Sequence, residues 1–137
     1  MSAESESLAN SWMVKAKGDL AVARLLVEGS EPHLDSGVYH CQQAAEKALK
    51  ALLTLDETIF PKSHNLRILL DLVLPRHPEL STLVNACIVL TPYATEFRYP
   101  GDIFEPDRSE AVEAFHHAED ILNAVAPFVP DRAIGNG

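Results

Sequence analysis

Tyr39-His40-Cys41-Gln42-Gln43-Ala44-Ala45-Glu46-Lys47-Ala48-Leu49-Lys50-Ala51-Leu52-Leu53 carries the clearest periodicity in the chain. Val38, Cys41, Ala45, Ala48, Leu52 and Leu55 recur in steps of three and four, which predicts an amphipathic helix from about Asp35 to Leu55. Ala44 and Ala51 widen that stripe with small side chains and let a neighbouring backbone come close. His40, Gln43, Lys47 and Lys50 fall on the other face. Glu46 and Lys50 stand in the favourable i,i+4 order, and for such a pair, with Lys47 beside it, a solvated face is the default expectation.

The same period extends to both sides. Ala9, Met13, Ala16, Leu20, Ala23 and Val27 predict a first helix over about Leu8 to Glu28, stopped at Gly29. Ser63 suits the N-cap of a third helix from His64 to about Leu74, with Leu66, Leu69, Leu70 and Val73 inward. Pro78 suits the first turn of a fourth, whose apolar residues run from Leu80 to Leu90. Pro92 falls in its interior and predicts a kink at Thr91-Pro92 before a last turn or two to Arg98. Asp107 and Glu110 read as a capping box, opening a fifth helix to about Ala126. Its stripe is Ala111, Ala114, Phe115, Ala118, Ile121, Leu122 and Val125. Five helices on short connections predict an all-α, antiparallel up-and-down bundle. Residues 1–7 are expected to be disordered, 8–128 to form the bundle and 129–137 to be a flexible tail. The apolar stripes of the second and fourth helices look wider than a monomer needs, so a homodimer is expected.

Composition narrows the function. At 137 residues the chain is one domain, and with 47% apolar residues its body can bury a core. No apolar run approaches the roughly 20 residues of a membrane span. The Ser- and Glu-rich start lacks the basic and apolar stretches of a signal peptide, so a cytoplasmic protein is expected. Cys41 and Cys87 sit in apolar helical runs without Cys-x-x-Cys spacing and read as buried structural thiols, not metal ligands. The net charge of −9 makes a poor general binder of nucleic acid. Lys47, Lys50, Lys62 and Arg67, with His64, form the one plausible basic cluster. No Gly-rich phosphate loop, nucleophile elbow or His-Glu-x-x-His is present, and no metal or cofactor is expected.

The fourth helix ends in Thr95-Glu96-Phe97-Arg98-Tyr99-Pro100-Gly101. Pro100 and Gly101 are punctuation, but a terminator needs neither a guanidinium nor a phenol. Arg98 and Tyr99 could grip a nucleotide or RNA backbone, or cap the helix and pack a loop. His64, next to Ser63 and near Lys62 and Arg67, could help hold a phosphate or fix its loop against the second helix.

Three blocks, the Tyr39–Leu53 helix, Lys62-Ser63-His64-Asn65-Leu66 and the Arg98-Tyr99-Pro100 corner, resemble in order and spacing the HEPN family. These are small helical domains found alone or beside nucleotidyltransferases in prokaryotes. The resemblance spans about Trp12 to Val125, and Glu96-Phe97 before the corner is a small departure. It implies a homodimeric bundle acting with a minimal nucleotidyltransferase and binding a nucleotide through Arg98, Tyr99, Lys62 and His64. HEPN ribonucleases use an arginine followed about four to six residues later by a histidine, which would relay a proton as the 2′-hydroxyl attacks. Arg24–His33, Arg67–His77, Arg108–His116 and Arg108–His117 are all spaced too widely. A non-nuclease member is therefore expected. The alternative is a toxin ribonuclease, acting on RNA, with an irregular site around Arg98 or Arg108 and His116.

Overall fold

The computed structural model describes residues 2–30, 32–95 and 106–131. Among these residues five α-helices form the bundle: α1 (Ala3–Glu28), α2 (Leu34–Leu55), α3 (Leu66–Val73), α4 (Val84–Leu90) and α5 (Arg108–Val125). The described residues contain no strand. α1 and α2 form the main antiparallel pair, α5 packs across both, and α3 and α4 close the far side of α2.

α2 is the axis of the molecule. Neighbours touch it on every side, and Leu49, Leu52 and Leu53 are completely buried. Each such leucine contributes about 1.5–3 kcal/mol of transfer free energy. The expected surplus of apolar surface on the second helix is therefore used up inside the chain. The large exposed apolar residues lie elsewhere: Leu8, Val14, Val22 and Leu25 on α1, Ile59 between α2 and α3, Ile68 on α3, Ile88 on α4 and Phe128 after α5. The turn between α1 and α2 is tight. A Cβ on Gly37 would come within 2.7 Å of Val27 Cγ2, so only glycine lets the two helices meet there.

Several boundaries differ from expectation. α1 starts at Ala3, ahead of the expected Leu8 by more than a turn, within the segment expected to be disordered. Ser2 caps it by accepting from the Ser5 amide, and Glu4 and Glu6 complement the helix dipole. A Ser/Glu-rich start has the composition of a solvated tail and also of a helix N-terminus; here it is the second. Asn65, not Ser63, caps α3, accepting from the amides of Arg67 (2.9 Å) and Ile68 (3.3 Å). The predicted fourth helix is divided into a 3-10 segment Pro78–Leu83, α4, and a second 3-10 segment Thr91–Ala94. The break falls at Thr91-Pro92, as the proline requires. Thr91 Oγ1 uses it, donating to the Cys87 carbonyl (2.8 Å) and accepting the Leu66 amide (3.1 Å). The capping box at α5 is present as predicted, with Asp107 and Glu110 bonded reciprocally. Val129 is buried and the Pro130 carbonyl accepts from Asn10 Nδ2 at 3.2 Å, so the expected tail is held at its start.

A buried carboxylate beneath an exposed histidine: the candidate functional site

Gln42, Glu46 and Lys50 follow one another at i,i+4 spacing on α2. The face expected to be solvated is in fact covered, and Gln42, Glu46 and Lys50 are all buried. Because α2 is central, its polar residues have to satisfy one another. Lys50 Nζ donates to Glu46 Oε2 at 2.9 Å and Gln42 Nε2 donates to Glu46 Oε1 at 3.1 Å. Gln42 Nε2 also reaches the His64 carbonyl at 2.9 Å, fixing the chain between α2 and α3 to the helix. The indole of Trp12 on α1 lies 5.7 Å from Lys50 Nζ, a cation–π contact that covers the ammonium.

His64 Nδ1 completes the carboxylate's set, 2.8 Å from Glu46 Oε1. Burial alone would push the Glu46 carboxyl up. The bonds from Lys50, His64 and Gln42 outweigh it and hold the group below its ordinary range. An ionised carboxylate only accepts, so Nδ1 carries the hydrogen in this pair. Nε2 is then the outward nitrogen of a ring whose side chain is 69% exposed. No described residue bonds it. One buried anion thus aims one exposed imidazole.

The rest of the predicted cluster is dispersed. Lys47 bonds Asp19 of α1, which also meets His40 Nδ1 at 3.0 Å, so this lysine fastens α1 to α2. Arg67 is paired with Asp71 at 2.9 Å. The basic patch is therefore largely neutralised within the chain. Lys62 is exposed, two residues before His64 in sequence. Arg98 and Tyr99 lie outside the described residues.

Arg108 and His116 are not brought together by any described contact. Arg108 Nη1 donates to the Val27 carbonyl at 3.0 Å, supplying to α1 the cation that its own last turn lacks. His116 Nδ1 sits 3.7 Å from Glu119. About 12 Å of helix rise separates the two positions. Cys41 and Cys87 are buried, and burial pushes both thiols up to about 12, which leaves little thiolate at neutral pH. Among the described residues no three of His, Cys, Asp and Glu group to hold a metal ion.

Sequence reasoning found His64 but not the carboxylate beneath it. The available signal was the run Gln42, Glu46, Lys50, which puts three polar groups on one edge of a helix otherwise rich in Ala and Leu.

The HEPN domain profile matches residues 9–128. The protein named "Putative toxin MJ1304" from Methanocaldococcus jannaschii is 27% identical over 135 residues, covering 88% of each chain. The crystal structure of TT1696 from Thermus thermophilus superposes with a TM-score of 0.74 at 30% identity, over 87% of this chain and 96% of that one. The structure of ST0689, titled an archaeal HEPN homologue, gives 0.68 at 26% identity, over 89% and 98%. Among the described residues, no helix is long and apolar enough to cross a membrane.

Proposed function

This chain belongs to the HEPN family, and from that premise we propose that it is a binding subunit without nuclease activity, which receives the phosphate of a nucleotide at His64. Lys62, exposed two residues before His64, adds charge, and Arg98 and Tyr99 supply a guanidinium fork and a ring for the base. The subunit works as a homodimer beside a minimal nucleotidyltransferase. Ile68 and Ile88, exposed on α3 and α4, are the surface for the second copy.

The observation that carries this reading is the Glu46–His64 pair. A buried carboxylate fixes the tautomer of an exposed ring, a geometry that an ordinary surface histidine has no need of. Of the irregular nuclease site, Arg108 is bonded to the Val27 carbonyl and His116 lies 3.7 Å from Glu119, while Arg98 lies outside the described residues.

Calorimetric titration of ATP, GTP and a short RNA into the pure protein tests it, with His64→Ala and Arg98→Ala alongside. Saturable nucleotide binding that both variants weaken supports the proposal. Absence of heat with every ligand would sink it.

The second reading, a toxin ribonuclease, is favoured by the toxin-named relative that matches most of the chain. Growth arrest on expression without a partner, abolished by Arg108→Ala or His116→Ala, would establish it in place of the first.

A further inference from the structure

Val14, Gly18, Ala21 and Leu25 of α1 repeat in steps of four, three and four. This is the spacing of the a and d positions of a coiled-coil seam. All four are exposed: Val14 is 50% and Leu25 74% accessible, and nothing lies within 4 Å of where a Gly18 side chain would begin. The opposite face of α1 does the packing, with Ala9, Met13, Ala16, Ala23 and Val27 buried. The seam is therefore surplus to the fold of the chain.

Its flanks have one sign. The e and g positions beside this seam are Lys15, Lys17, Val22 and Arg24. Asp19, the acid within the stretch, is turned inward onto His40 and Lys47. A protein of net charge −9 thus flanks this apolar seam with three cations, Lys15, Lys17 and Arg24, and one further apolar residue, Val22, with the acid Glu119 of α5 set against Arg24. The edge is also held in place. The Arg24 guanidinium lies 5.1 Å from the Phe115 ring centroid and 3.3 Å from Glu119, and borders a groove of about 390 Å³ lined by Lys17, Leu20, Ala21, Arg24, Leu25 and Phe115.

We infer that this seam is the docking surface for an amphipathic helix of a partner protein whose own flanking positions are acidic. Charge complementarity selects that occupant over a second copy. Parallel self-pairing sets g against e, antiparallel pairing sets g against g and e against e, and either brings Lys and Arg against Lys, Arg or Val22. The exposed acids of α5, Glu110, Glu113 and Asp120, come without an apolar stripe to fill the seam. Nucleic acid would use the cations but not Val14, Ala21 and Leu25. The inference is independent of the phosphate reading, since the seam contains none of His64, Lys62, Arg98 or Tyr99.

The test uses a fluorescein-labelled designed peptide of three heptads, with Leu at a and d and Glu at e and g, and a twin with Lys at e and g. Each is titrated with the full chain and followed by anisotropy. The Glu peptide is expected to bind roughly tenfold more tightly than the Lys twin. The triple variant Lys15→Glu/Lys17→Glu/Arg24→Glu reverses the preference, and Leu25→Lys removes binding with circular dichroism unchanged. His64→Ala leaves the titration as it was, which separates failure here from failure of the nucleotide site. Equal affinity for both peptides, or none for either, overturns the inference. So does sedimentation showing that Leu25→Lys converts a dimer to a monomer, or a uridine oligonucleotide whose binding Lys17→Glu/Arg24→Glu abolishes.

Discussion

Glu46 Oε1 and His64 Nδ1 lie 2.8 Å apart, the first buried in the middle of α2 and the second at the surface before α3. Lys50 occupies the other carboxylate oxygen. Removing either charge strands the other, so Glu46→Gln and Lys50→Met are each expected to cost about 3 kcal/mol in urea denaturation at pH 7. The double variant Glu46→Gln/Lys50→Met is expected to recover most of that loss, giving a strongly non-additive cycle.

The same carboxylate sets an acid limb. The folded Glu46 carboxyl titrates below its ordinary value of 4.5. Its contribution is complete above that value and is lost as pH falls through the lower folded one. Wild-type stability should therefore fall more steeply below about pH 4.5 than that of Glu46→Gln, compared by denaturant midpoints across the range.

Glu57 holds φ at 56°, a left-handed conformation, after the end of α2. The Thr58 amide reaches the Leu53 carbonyl and the Glu57 amide that of Thr54, the two bonds of a Schellman cap. Glycine is the usual residue there. Glu57→Gly is expected to raise stability by about 0.5–1 kcal/mol, partly offset by loss of the bond from Ser5 Oγ to the Glu57 carboxylate. Thermal melts of Glu57→Gly with Ser5→Ala as reference separate the two effects.

Two helical glycines should respond in opposite directions. Gly18→Ala adds a methyl to open space and gains helix propensity, about 0.5–1 kcal/mol. Gly37→Ala drives a methyl into Val27, whose branched side chain has little room to turn, and should lose about 1–3 kcal/mol against that gain. A shared denaturation series reads both signs.

Cys41 and Cys87 are expected to resist a thiol reagent in the native state at pH 8. Both thiols are buried and pushed up to about 12, so little thiolate exists. Their reaction should follow global unfolding and become fast in denaturant.

The helices were legible because their signals are local. The stripe of α2, the Asp107–Glu110 box and the break at Pro92 each depend on residues within a turn or two of one another. Glu46 was not legible as buried. An i,i+4 Glu–Lys pair reads the same on a wet face or a covered one, and what covers it, Trp12 and the His64 segment, is remote in sequence. The apolar surplus expected of α2 was misplaced for the same reason, whereas α4 does leave Ile88 exposed. A wide stripe on α2 predicts partners but not that α1, α3, α4 and α5 of the same chain would supply them all. The exposed seam on α1 was hidden by a stronger buried stripe on the same helix.

The tight turn between α1 and α2 also bears on the order in which the chain folds. Contacts across that helical pair begin close in sequence, at Val27 and Gly37 beside the turn, and extend outward from there, so the pair is expected to close from the turn at small loop-closure cost. α5 closes a much longer loop to reach α1, Arg108 bonding Val27 and Arg24 meeting Glu119, so its contacts are expected to be gained last. Strengthening α5 would then slow the opening of the bundle while leaving its rate of formation almost untouched, so the last helix governs how long the folded state survives.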